Sequence, residues 1–339
     1  MMSKRLIKIF FKSAFITLGV LVLTGILSFY VFIVSGWIRP TQDLWVTTAM
    51  TTLNHKWLAT SIINEDKIDT IMERNQVDDS GYETSAELVE IPKEIPQTNV
   101  DTYIEEGYKK LEDGIYLKDV SGTTWKGKLM LVLDPSRVSL AQTRYQFKRG
   151  DLVKTMVATE GARAGINAGG FVDGPNYDSN GGTPAGLLIV DNELIQSNGN
   201  TKHSVIGFNQ DNILVLGKMT KQEALDANLR DAVDFRPFLI VNGEPTIKEG
   251  TGGWGIAPRT AIGQRPTGEV LFLCIDGRQP GHSIGVDLDV LQNTLLAEKC
   301  INAAMLDGGS STVMYYNGDY VNKPSLGHEL YINNAWIIK

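Results

Sequence analysis

Cysteine and histidine are scarce in this sequence. Its 339 residues include two cysteines, Cys274 and Cys300, and four histidines. Two cysteines are too few for a disulfide scaffold or for a zinc site built on cysteine. Cys274 falls in an apolar run and Cys300 follows a predicted helix, so we expect buried free thiols. A disulfide between them is the alternative.

Positive charge is also scarce beyond the N-terminus. The chain carries a net charge of −7, and its first twelve residues contain four basic side chains and no acidic one. Removing these four charges from the total leaves −11 for the remainder. Non-specific nucleic-acid binding requires many lysines and arginines to neutralise phosphates, so the composition excludes a nucleic-acid partner of that kind. With 42% hydrophobic and 21% charged residues, a wholly disordered chain is excluded as well.

A long uncharged run follows the basic residues. The 26 residues from Ser13 to Ile38 carry no charge, more than the ~20 needed to cross a bilayer. Because the basic cluster precedes the run, residues 1–12 are predicted to be cytoplasmic and the rest extracytoplasmic. A cleaved signal peptide is the alternative, but its apolar region would be shorter, ~7–15 residues. We therefore expect a single-pass anchor at residues 13–38 that contacts the lipid bilayer.

Two segments of different composition separate this anchor from the rest of the chain. Residues 39–75 place apolar side chains at helical spacing and predict a helical stalk, in which Asn64 caps a second helix that runs to Asn75. Such helices could pack within one chain, pair with another copy as a homo-oligomer, or rest on lipid. Residues 76–101 are rich in Asp and Glu with few large apolar groups, which favours a solvated acidic linker.

Residues 102–339 predict one α+β domain with a mixed sheet. Short apolar runs bounded by Gly, Asn and Asp predict strands at 129–133, 138–141, 164–168, 187–190, 213–216, 238–241, 270–275, 303–306 and 313–316. Helical periodicity is clear at 221–228 and 287–299. The strand at 270–275, the second helix and the strand at 303–306 predict one crossover unit.

Four glycine-rich segments follow or precede these predicted strands. They are Asn167-Ala168-Gly169-Gly170-Phe171, Pro258-Arg259-Thr260-Ala261-Ile262-Gly263, Asp276-Gly277-Arg278-Gln279-Pro280-Gly281-His282-Ser283 and Met305-Leu306-Asp307-Gly308-Gly309-Ser310-Ser311-Thr312. Glycine allows close approach of a ligand and leaves amide groups free to bind an anion. None of the four is a P-loop, because the Lys-Ser/Thr after the last glycine is absent.

Together and in this order, the four segments resemble the phosphodiester glycosidase family. The resemblance covers residues 102–339, with the motifs concentrated in 164–312. It implies hydrolysis of the glycosidic C1–O bond of a sugar-1-phosphodiester of the GlcNAc-1-phospho type, with no required cofactor. One departure is that the last motif often reads LDGGGS in the family, whereas this chain has Ser310 in place of the third glycine.

The chemistry implied by the resemblance assigns roles to the motif residues. Asp307 and Asp276 are the candidates for acid, base or nucleophile, and His282 is a further acid–base candidate. Arginine side chains bind phosphate in bidentate fashion, so Arg259 and Arg278 are expected to hold the phosphodiester. The remaining expected substrate-binding residues are Asn167, for a sugar hydroxyl or acetamido group, and Gly169, Gly170, Thr260, Gly308, Gly309, Ser310 and Ser311.

Structural explanations for the same residues remain open. Asp307 could cap a turn, Asp276 and Arg278 could form a surface ion pair in a hairpin, and Arg259 could be paired in the core. A single loop histidine such as His282 is often structural. Ser310 and Ser311 lack the nucleophile-elbow motif and a histidine-rich setting, which argues against a serine nucleophile.

One segment resembles a calcium-binding loop. Residues 176–181 match the opening of an EF-hand, but Leu187 stands where a bidentate Glu is required. A Ca²⁺ site using Asp173 or Asp178 remains an alternative, and we assign no metal ligand. The whole sequence thus predicts an extracytoplasmic, membrane-anchored hydrolase acting on a wall or exopolysaccharide polymer. A non-catalytic glycan-binding or assembly module is the alternative.

Overall fold

The N-terminal segment forms one long apolar helix. The computed structural model describes residues 4–52, 55–92, 100–174, 179–199 and 201–339. Helix α1 (Lys4–Phe29) continues as a π-helical turn over Tyr30–Val34. The stretch Lys8–Val34 is long and apolar enough to cross a membrane, and nearly all of it is exposed. The predicted apolar helix is therefore confirmed, while its place in a bilayer remains a prediction.

The chain divides into two compact units. The first comprises the residues up to Gln76 together with Gly253–Gly255, and the second comprises Val77–Gly252 and Ile256–Lys339. Beyond α1, the first unit contains helices α2 (Arg39–Met50), α3 (Trp57–Thr60) and α4 (Glu65–Asn75). As the sequence predicts, α4 begins after Asn64, whose side chain accepts a hydrogen bond from the backbone N–H of Lys67.

These short helices pack on one another within a single chain. Val46, Ile68 and Ile71 are buried together in a small apolar cluster. Beside it, Asp43 accepts hydrogen bonds from Arg74 Nε and Asn75 Nδ2, both at 3.0 Å. Apolar faces and one partly buried ion pair therefore hold α2 against α4. Association with a second copy remains a prediction.

The end of the apolar helix is capped by side chains from α2 and α4. Gln42 Nε2 donates to the backbone oxygens of Ile33 and Val34, at 2.6 and 3.2 Å. Lys67 Nζ donates to the backbone oxygens of Val34 and Ser35, each at 3.3 Å. These contacts satisfy carbonyls that have no partner at a helix C-terminus.

The segment expected to be a solvated acidic linker is packed over its described part. Residues 77–92 belong to the second unit, and Asp79 is only 6% exposed. Its carboxylate accepts a hydrogen bond from the backbone N–H of Phe238 at 3.1 Å and lies 2.9 Å from Lys218 Nζ. The linker prediction is wrong for 77–92, because a cation and a backbone donor compensate the buried charge. Residues 93–99 lie outside the described part of the chain.

The second unit is built on three sheets with antiparallel neighbours. The first contains β1 (Lys109–Glu112), β2 (Ile115–Ser121), β3 (Lys126–Val132), β11 (Phe238–Val241), β12 (Glu244–Pro245), β13 (Arg259–Gln264), β14 (Val270–Ile275) and β15 (Asn302–Met305), in the order β1-β2-β3-β14-β13-β15-β11-β12. The second contains β6 (Leu188–Val190), β7 (Glu193–Gln196), β8 (His203–Asn209), β9 (Leu214–Met219) and β10 (Leu229–Asp234), in the order β7-β6-β10-β8-β9. The third contains β4 (Val138–Gln142), β5 (Ala164–Asn167), β16 (Met314–Tyr316), β17 (Asp319–Tyr320) and β18 (Asn334–Ile338), in the order β17-β16-β5-β18-β4. The helices are α5 (Val100–Glu105), α6 (Val153–Thr159), α7 (Lys221–Asp226) and α8 (Leu288–Ala297).

One hydrophobic core joins the three sheets. Phe272 from the first sheet, Phe208 from the second and Trp336 from the third are fully buried in the same cluster. The rings of Phe208 and Trp336 meet edge to face, with centroids 5.4 Å apart. The α+β class is confirmed, and its division into three antiparallel sheets refines the expected mixed sheet.

The predicted crossover unit positions the ends of two strands. Strand β14, helix α8 and strand β15 follow one another along the chain, and β13 lies between the two strands, antiparallel to each. The C-terminal ends of β14 and β15 and the N-terminal end of β13 therefore meet at one edge of the sheet. Cys274 in β14 and Cys300 after α8 are both free and buried, and burial raises the pKa of each thiol.

Candidate active site

Three charged residues of the predicted site lie at this sheet edge. Asp276 directly follows β14, Arg259 is the first residue of β13, and Asp307 comes shortly after β15. Arg259 is paired with Ile275 across the sheet, and the backbone N–H of Leu306 donates to the oxygen of Thr260 at 2.9 Å. The strand order thus places a cation between the two chain segments that carry the carboxylates.

Asn167 lies beneath the site and holds its segments together. It is 1% exposed, and its Oδ1 accepts hydrogen bonds from Thr260 Oγ1 at 2.8 Å and from the backbone N–H of Val313 at 3.1 Å. Its Nδ2 donates to the backbone oxygen of Asp307 at 2.5 Å. Asn167 and the fully buried Thr260 were expected to contact substrate, whereas these contacts make them positioning residues.

Gly169 and Gly170 are required for close packing. The backbone N–H of Gly169 donates to Asn334 Oδ1 at 2.7 Å, and a Cβ at this position would lie 2.9 Å from the Cβ of Val233. A Cβ at Gly170 would lie 3.2 Å from the ring of Phe235. Both glycines are buried, so the structure uses them to bring two sheets together rather than to expose amides to a ligand.

Asp307 has an environment that disfavours its charged form. Burial raises its pKa to about 6, while hydrogen bonds from the Ser311 side chain and the Gly308 backbone oppose the shift, and the nearby Asp173 carboxylate adds to it. The side chain nevertheless keeps partial solvent access. A carboxyl group that titrates near neutral pH is suited to proton transfer or to attack on a sugar carbon.

Asp276 and His282 form a hydrogen-bonded pair. His282 Nε2 lies 2.8 Å from one carboxylate oxygen of Asp276. The other oxygen accepts hydrogen bonds from Asn322 Nδ2 at 3.1 Å and from the backbone N–H of Lys323 at 2.9 Å. Asp276 is 4% exposed and engaged at both oxygens, so it orients the imidazole and does not present a free carboxylate. The His282 side chain remains partly accessible, at 22% exposure.

Two arginines lie close together against the turn that follows Asp307, Arg259 beside Gly308 and Arg278 beside Gly309. Arg259 is 3% exposed, and its Nε donates to the backbone oxygen of Val286 at 3.2 Å. Burial lowers its pKa to about 10; the carboxylate of Asp287 acts in the opposite direction, and the charge of Arg278 lowers the pKa further. Arg278 Nη1 donates to Ser310 Oγ at 3.1 Å. Two guanidinium groups that repel each other make a favourable site for a phosphate anion.

The glycines after Asp307 form a turn whose amides are already used. The backbone N–H of Gly309 donates to the oxygen of Pro258 at 2.8 Å, and that of Gly308 donates to Asp307. Gly309 has φ +60°, and a Cβ there would lie 3.1 Å from an Arg278 nitrogen. These contacts correct the expectation that both amides bind phosphate. The polar side chains that lie against this turn are those of Arg259, Arg278 and Ser310.

Several contacts in the site were not predictable from the sequence. Asn322 and Lys323 bind Asp276 from a loop without a recognisable motif. Asp287 was predictable as the N-cap of α8, but its influence on Arg259 was not. Asp173 follows the first glycine motif by two residues, yet only the fold brings its charge near Asp307.

A metal centre has no support in the described part of the chain. Within 4–52, 55–92, 100–174, 179–199 and 201–339, no group of three or more His, Cys, Asp or Glu is arranged to hold a metal ion. Asn176, Tyr177 and Asp178 of the calcium-like segment lie outside these residues. Calcium binding therefore remains a prediction.

Comparison with protein families and other sequences shows which family this chain belongs to. A family model described as phosphodiester glycosidase matches residues 160–339, more than half of the chain. The chain is 28% identical over 174 residues to human N-acetylglucosamine-1-phosphodiester alpha-N-acetylglucosaminidase, covering 46% of this chain and 32% of that protein. It is 35% identical over 104 residues to an SPbeta prophage-derived uncharacterized protein of Bacillus subtilis, covering 30% and 16%. The chain thus spans about a third or less of these relatives.

Solved structures share the fold. The zebrafish N-acetylglucosamine-1-phosphodiester alpha-N-acetylglucosaminidase catalytic domain, auto-inhibited by its pro-peptide, superposes with a TM-score of 0.55 at 23% identity, covering 66% of this chain and 81% of that one. A hypothetical protein from Synechocystis gives a TM-score of 0.51 at 14% identity, covering 68% and 63%. At these identities the likeness concerns the fold alone.

Proposed function

The chain belongs to the phosphodiester glycosidase family, and from this premise we propose that it hydrolyses a GlcNAc-1-phosphodiester outside the cell. The substrate bond is the glycosidic C1–O bond, in a cell-wall or exopolysaccharide polymer. The observation that carries the proposal is the pair of arginines against the Gly308–Gly309 turn, which directly follows Asp307, a carboxyl group whose pKa is raised to about 6. This arrangement offers cations for a phosphate and a carboxyl group for the adjoining sugar carbon.

The arginines bind the leaving group. When the C1–O bond breaks, the bonding electrons stay on the phosphate oxygen, and the sugar passes through an oxocarbenium-like state. Arg259 and Arg278 stabilise the negative charge that develops on the phosphate. Ser310 fixes one nitrogen of Arg278 and so helps to orient its planar guanidinium group.

Asp307 acts at the sugar carbon. In its ionised form it either attacks C1 directly or removes a proton from the water that does so. Water supplies the hydroxyl group of the released sugar, and its proton ends on the phosphomonoester or on the base. With a pKa of about 6, Asp307 is mostly ionised at neutral pH and can still be protonated during turnover.

His282 serves as a second proton carrier, and Asp276 positions it. The hydrogen bond from Nε2 to the carboxylate leaves Nδ1 as the acceptor nitrogen of the neutral ring. This role replaces our first interpretation of Asp276 as a possible nucleophile, because both of its oxygens are held by protein donors.

The apolar helix anchors the enzyme in a membrane. Lys8–Val34 has the length and composition of a span, and Lys4, Arg5, Lys8 and Lys12 precede or begin it. The positive-inside rule then places the N-terminus in the cytoplasm and the glycosidase domain outside. Accessibility labelling of a cysteine introduced at Ser3 and of one introduced at Ser136, in intact cells, tests this orientation. Labelling of the first and not of the second would reject it.

The hydrolase assignment is tested on the full chain in detergent. Reducing sugar released from an α-GlcNAc-1-phosphodiester is measured for the wild type, for Asp307→Asn and for Asp319→Asn, a matched change at an exposed aspartate. We expect turnover in the wild type and in Asp319→Asn and its loss in Asp307→Asn, with or without EDTA. Binding of the diester without turnover by the wild type would reject hydrolysis and identify a non-catalytic glycan-binding module.

A further inference from the structure

An exposed patch of cations and aromatic rings surrounds the loop between β4 and α6. We define the aromatic–basic patch as Arg144, Tyr145, Phe147, Lys148, Arg149 and Tyr331. The rings of Phe147 and Tyr331 are 50% and 55% exposed, and the three basic side chains are exposed as well. Tyr331 adjoins the loop because a Cβ on Gly150 would lie 2.7 Å from its carbonyl carbon.

The patch is positively charged in an acidic chain. Arg144 pairs with Asp151 at 3.3 Å, but neither Lys148 nor Arg149 forms a salt bridge with any residue in the described ranges. The Arg149 guanidinium lies 3.9 Å from the centroid of the Tyr145 ring, which fixes its plane. Two cations that lack a paired carboxylate among the described residues favour an anionic ligand at this surface, in a chain whose net charge is −7.

Phe147 is held in an unfavourable backbone conformation. Its φ is +60°, in the left-handed region that bulky residues rarely adopt. Its backbone N–H donates to the oxygen of Gly182 at 3.0 Å, and half of its ring surface faces solvent. Backbone strain that presents an apolar ring to water is typical of a binding surface, since it brings no stability of its own.

Backbone contacts connect the patch to the site. Asn180 bonds both the N–H of Gly150, at 2.6 Å, and the backbone oxygen of Lys148. The segment after Asn180 then pairs with the first glycine motif, because the N–H of Val172 donates to Thr183 at 2.8 Å. These contacts join the patch through one short chain segment to the residues next to the first glycine motif.

We propose that the aromatic–basic patch binds the phosphate-bearing glycan chain that extends beyond the hydrolysed sugar. The cations contact phosphates of neighbouring repeat units, and the rings pack on the apolar faces of sugars. The proposal rests on the proposed function for the identity of the polymer. It adds that the substrate is an extended anionic glycan rather than a small diester.

Binding and cleavage are measured separately on the full chain in detergent. The probe is a poly(GlcNAc-1-phosphate) chain, compared with a phosphate-free GlcNAc oligomer and with inorganic polyphosphate. The variants are Lys148→Glu/Arg149→Glu and Phe147→Asn, which removes the ring and tolerates the positive φ. The control is Lys221→Glu/Lys248→Glu, the same charge reversal at exposed lysines outside the patch.

We expect the double reversal in the patch to weaken polymer binding at least tenfold and to flatten its salt dependence, since two screened contacts become repulsive. Phe147→Asn weakens polymer binding severalfold with the salt dependence retained. Both variants cleave the small diester at the wild-type rate. The proposal would be overturned if the control variant lost polymer affinity as much as the patch variants, or if the patch variants bound the polymer as tightly as the wild type. It would also be overturned if the wild type bound polyphosphate as tightly as the poly(GlcNAc-1-phosphate) chain. Patch-dependent binding by a protein that cleaves no diester would support the patch and reject the hydrolase assignment.

Discussion

The side-chain amide of Asn167 donates a hydrogen bond to the backbone oxygen of Asp307 across 140 residues of sequence. The same side chain accepts from Thr260 and Val313, so one buried amide fixes three segments of the site. The position of the proposed catalytic carboxylate, Asp307, thus depends on a residue that has almost no solvent exposure.

Replacement of Asn167 is therefore expected to destabilise the fold. Asn167→Ala leaves the buried N–H of Val313 and the hydroxyl of Thr260 without their acceptor, which costs about 2–4 kcal/mol. The free energy of unfolding is measured by urea denaturation, with Gln222→Ala on the exposed face of α7 as the control. A decrease in the free energy of unfolding of less than ~1 kcal/mol would show that the Asn167 side chain does not hold these three segments together.

The activity is expected to depend on the ionisation of Asp307. Because burial raises its pKa to about 6, kcat/KM falls about tenfold per pH unit below that value and is level above it. The measurement is a pH profile of diester hydrolysis between pH 4 and 8. An acidic limb whose midpoint lies near the ordinary aspartate pKa would contradict the assignment of Asp307 as the group that must be ionised.

The same shift predicts a pH dependence of stability. The native state holds the Asp307 proton more tightly than the unfolded state, so stability falls as pH rises from about 4 to above 6. Asp307→Asn removes this pH dependence. Across that pH window, the free energy of unfolding of the wild type should therefore fall by on the order of 2 kcal/mol relative to that of the variant. Urea denaturation of both proteins at pH 4 and 7 measures the difference. An equal change in the free energy of unfolding of both proteins between the two pH values would show that the Asp307 pKa is not raised.

Ser310 is expected to affect substrate affinity through Arg278. Ser310→Ala removes the oxygen that accepts from Arg278 Nη1, so the guanidinium group is less well oriented toward phosphate. Loss of one such hydrogen bond corresponds to about 1 kcal/mol, and KM should rise roughly two- to fivefold with little change in kcat. Ser136→Ala, an exposed serine outside the site, is the matched control. A fall in kcat at constant KM would place the hydroxyl in the chemical step instead.

The Asp276–His282 pair should behave as a unit in kinetics. His282→Gln and Asp276→Asn are each expected to lower kcat by about 10²-fold, because the second change leaves the imidazole in the wrong orientation or tautomer. The double variant should then be no slower than His282→Gln alone. The measurement is a double-mutant cycle that compares kcat of the wild type with kcat of the two single variants and the double variant. Effects that multiply would show that the two residues act independently.

The sequence predicted the local elements well because they depend on local patterns. The nine apolar runs named as strands all coincide with observed strands, and both predicted helices of the domain coincide with α7 and α8. The predicted crossover unit is present as well, and Asp276 and Asp307 follow its two strands at the same edge of the sheet. Strand order was not accessible, so the insertion of Arg259 between them came only from the structure.

The details that the sequence missed depend on contacts between distant segments. Nothing in the local pattern shows that Asn167 is buried against Thr260, or that Asn322 and Lys323 occupy one oxygen of Asp276. The acidic composition around Asp79 suggested a solvated linker because its compensating cation lies far away in sequence. Polar residue type alone does not distinguish a buried partner from a residue that contacts substrate.

The side chains that cap the apolar helix have a mechanical consequence. Gln42 and Lys67 bind the last carbonyls of the helix from two different directions, so α2 and α4 cannot swivel freely at its end. Rotation of α1 about its long axis would therefore rotate α2 and α4 with it. In a bilayer, these contacts would transmit rotation of the anchor to α2 and α4, and Gln42→Ala together with Lys67→Ala would weaken that coupling.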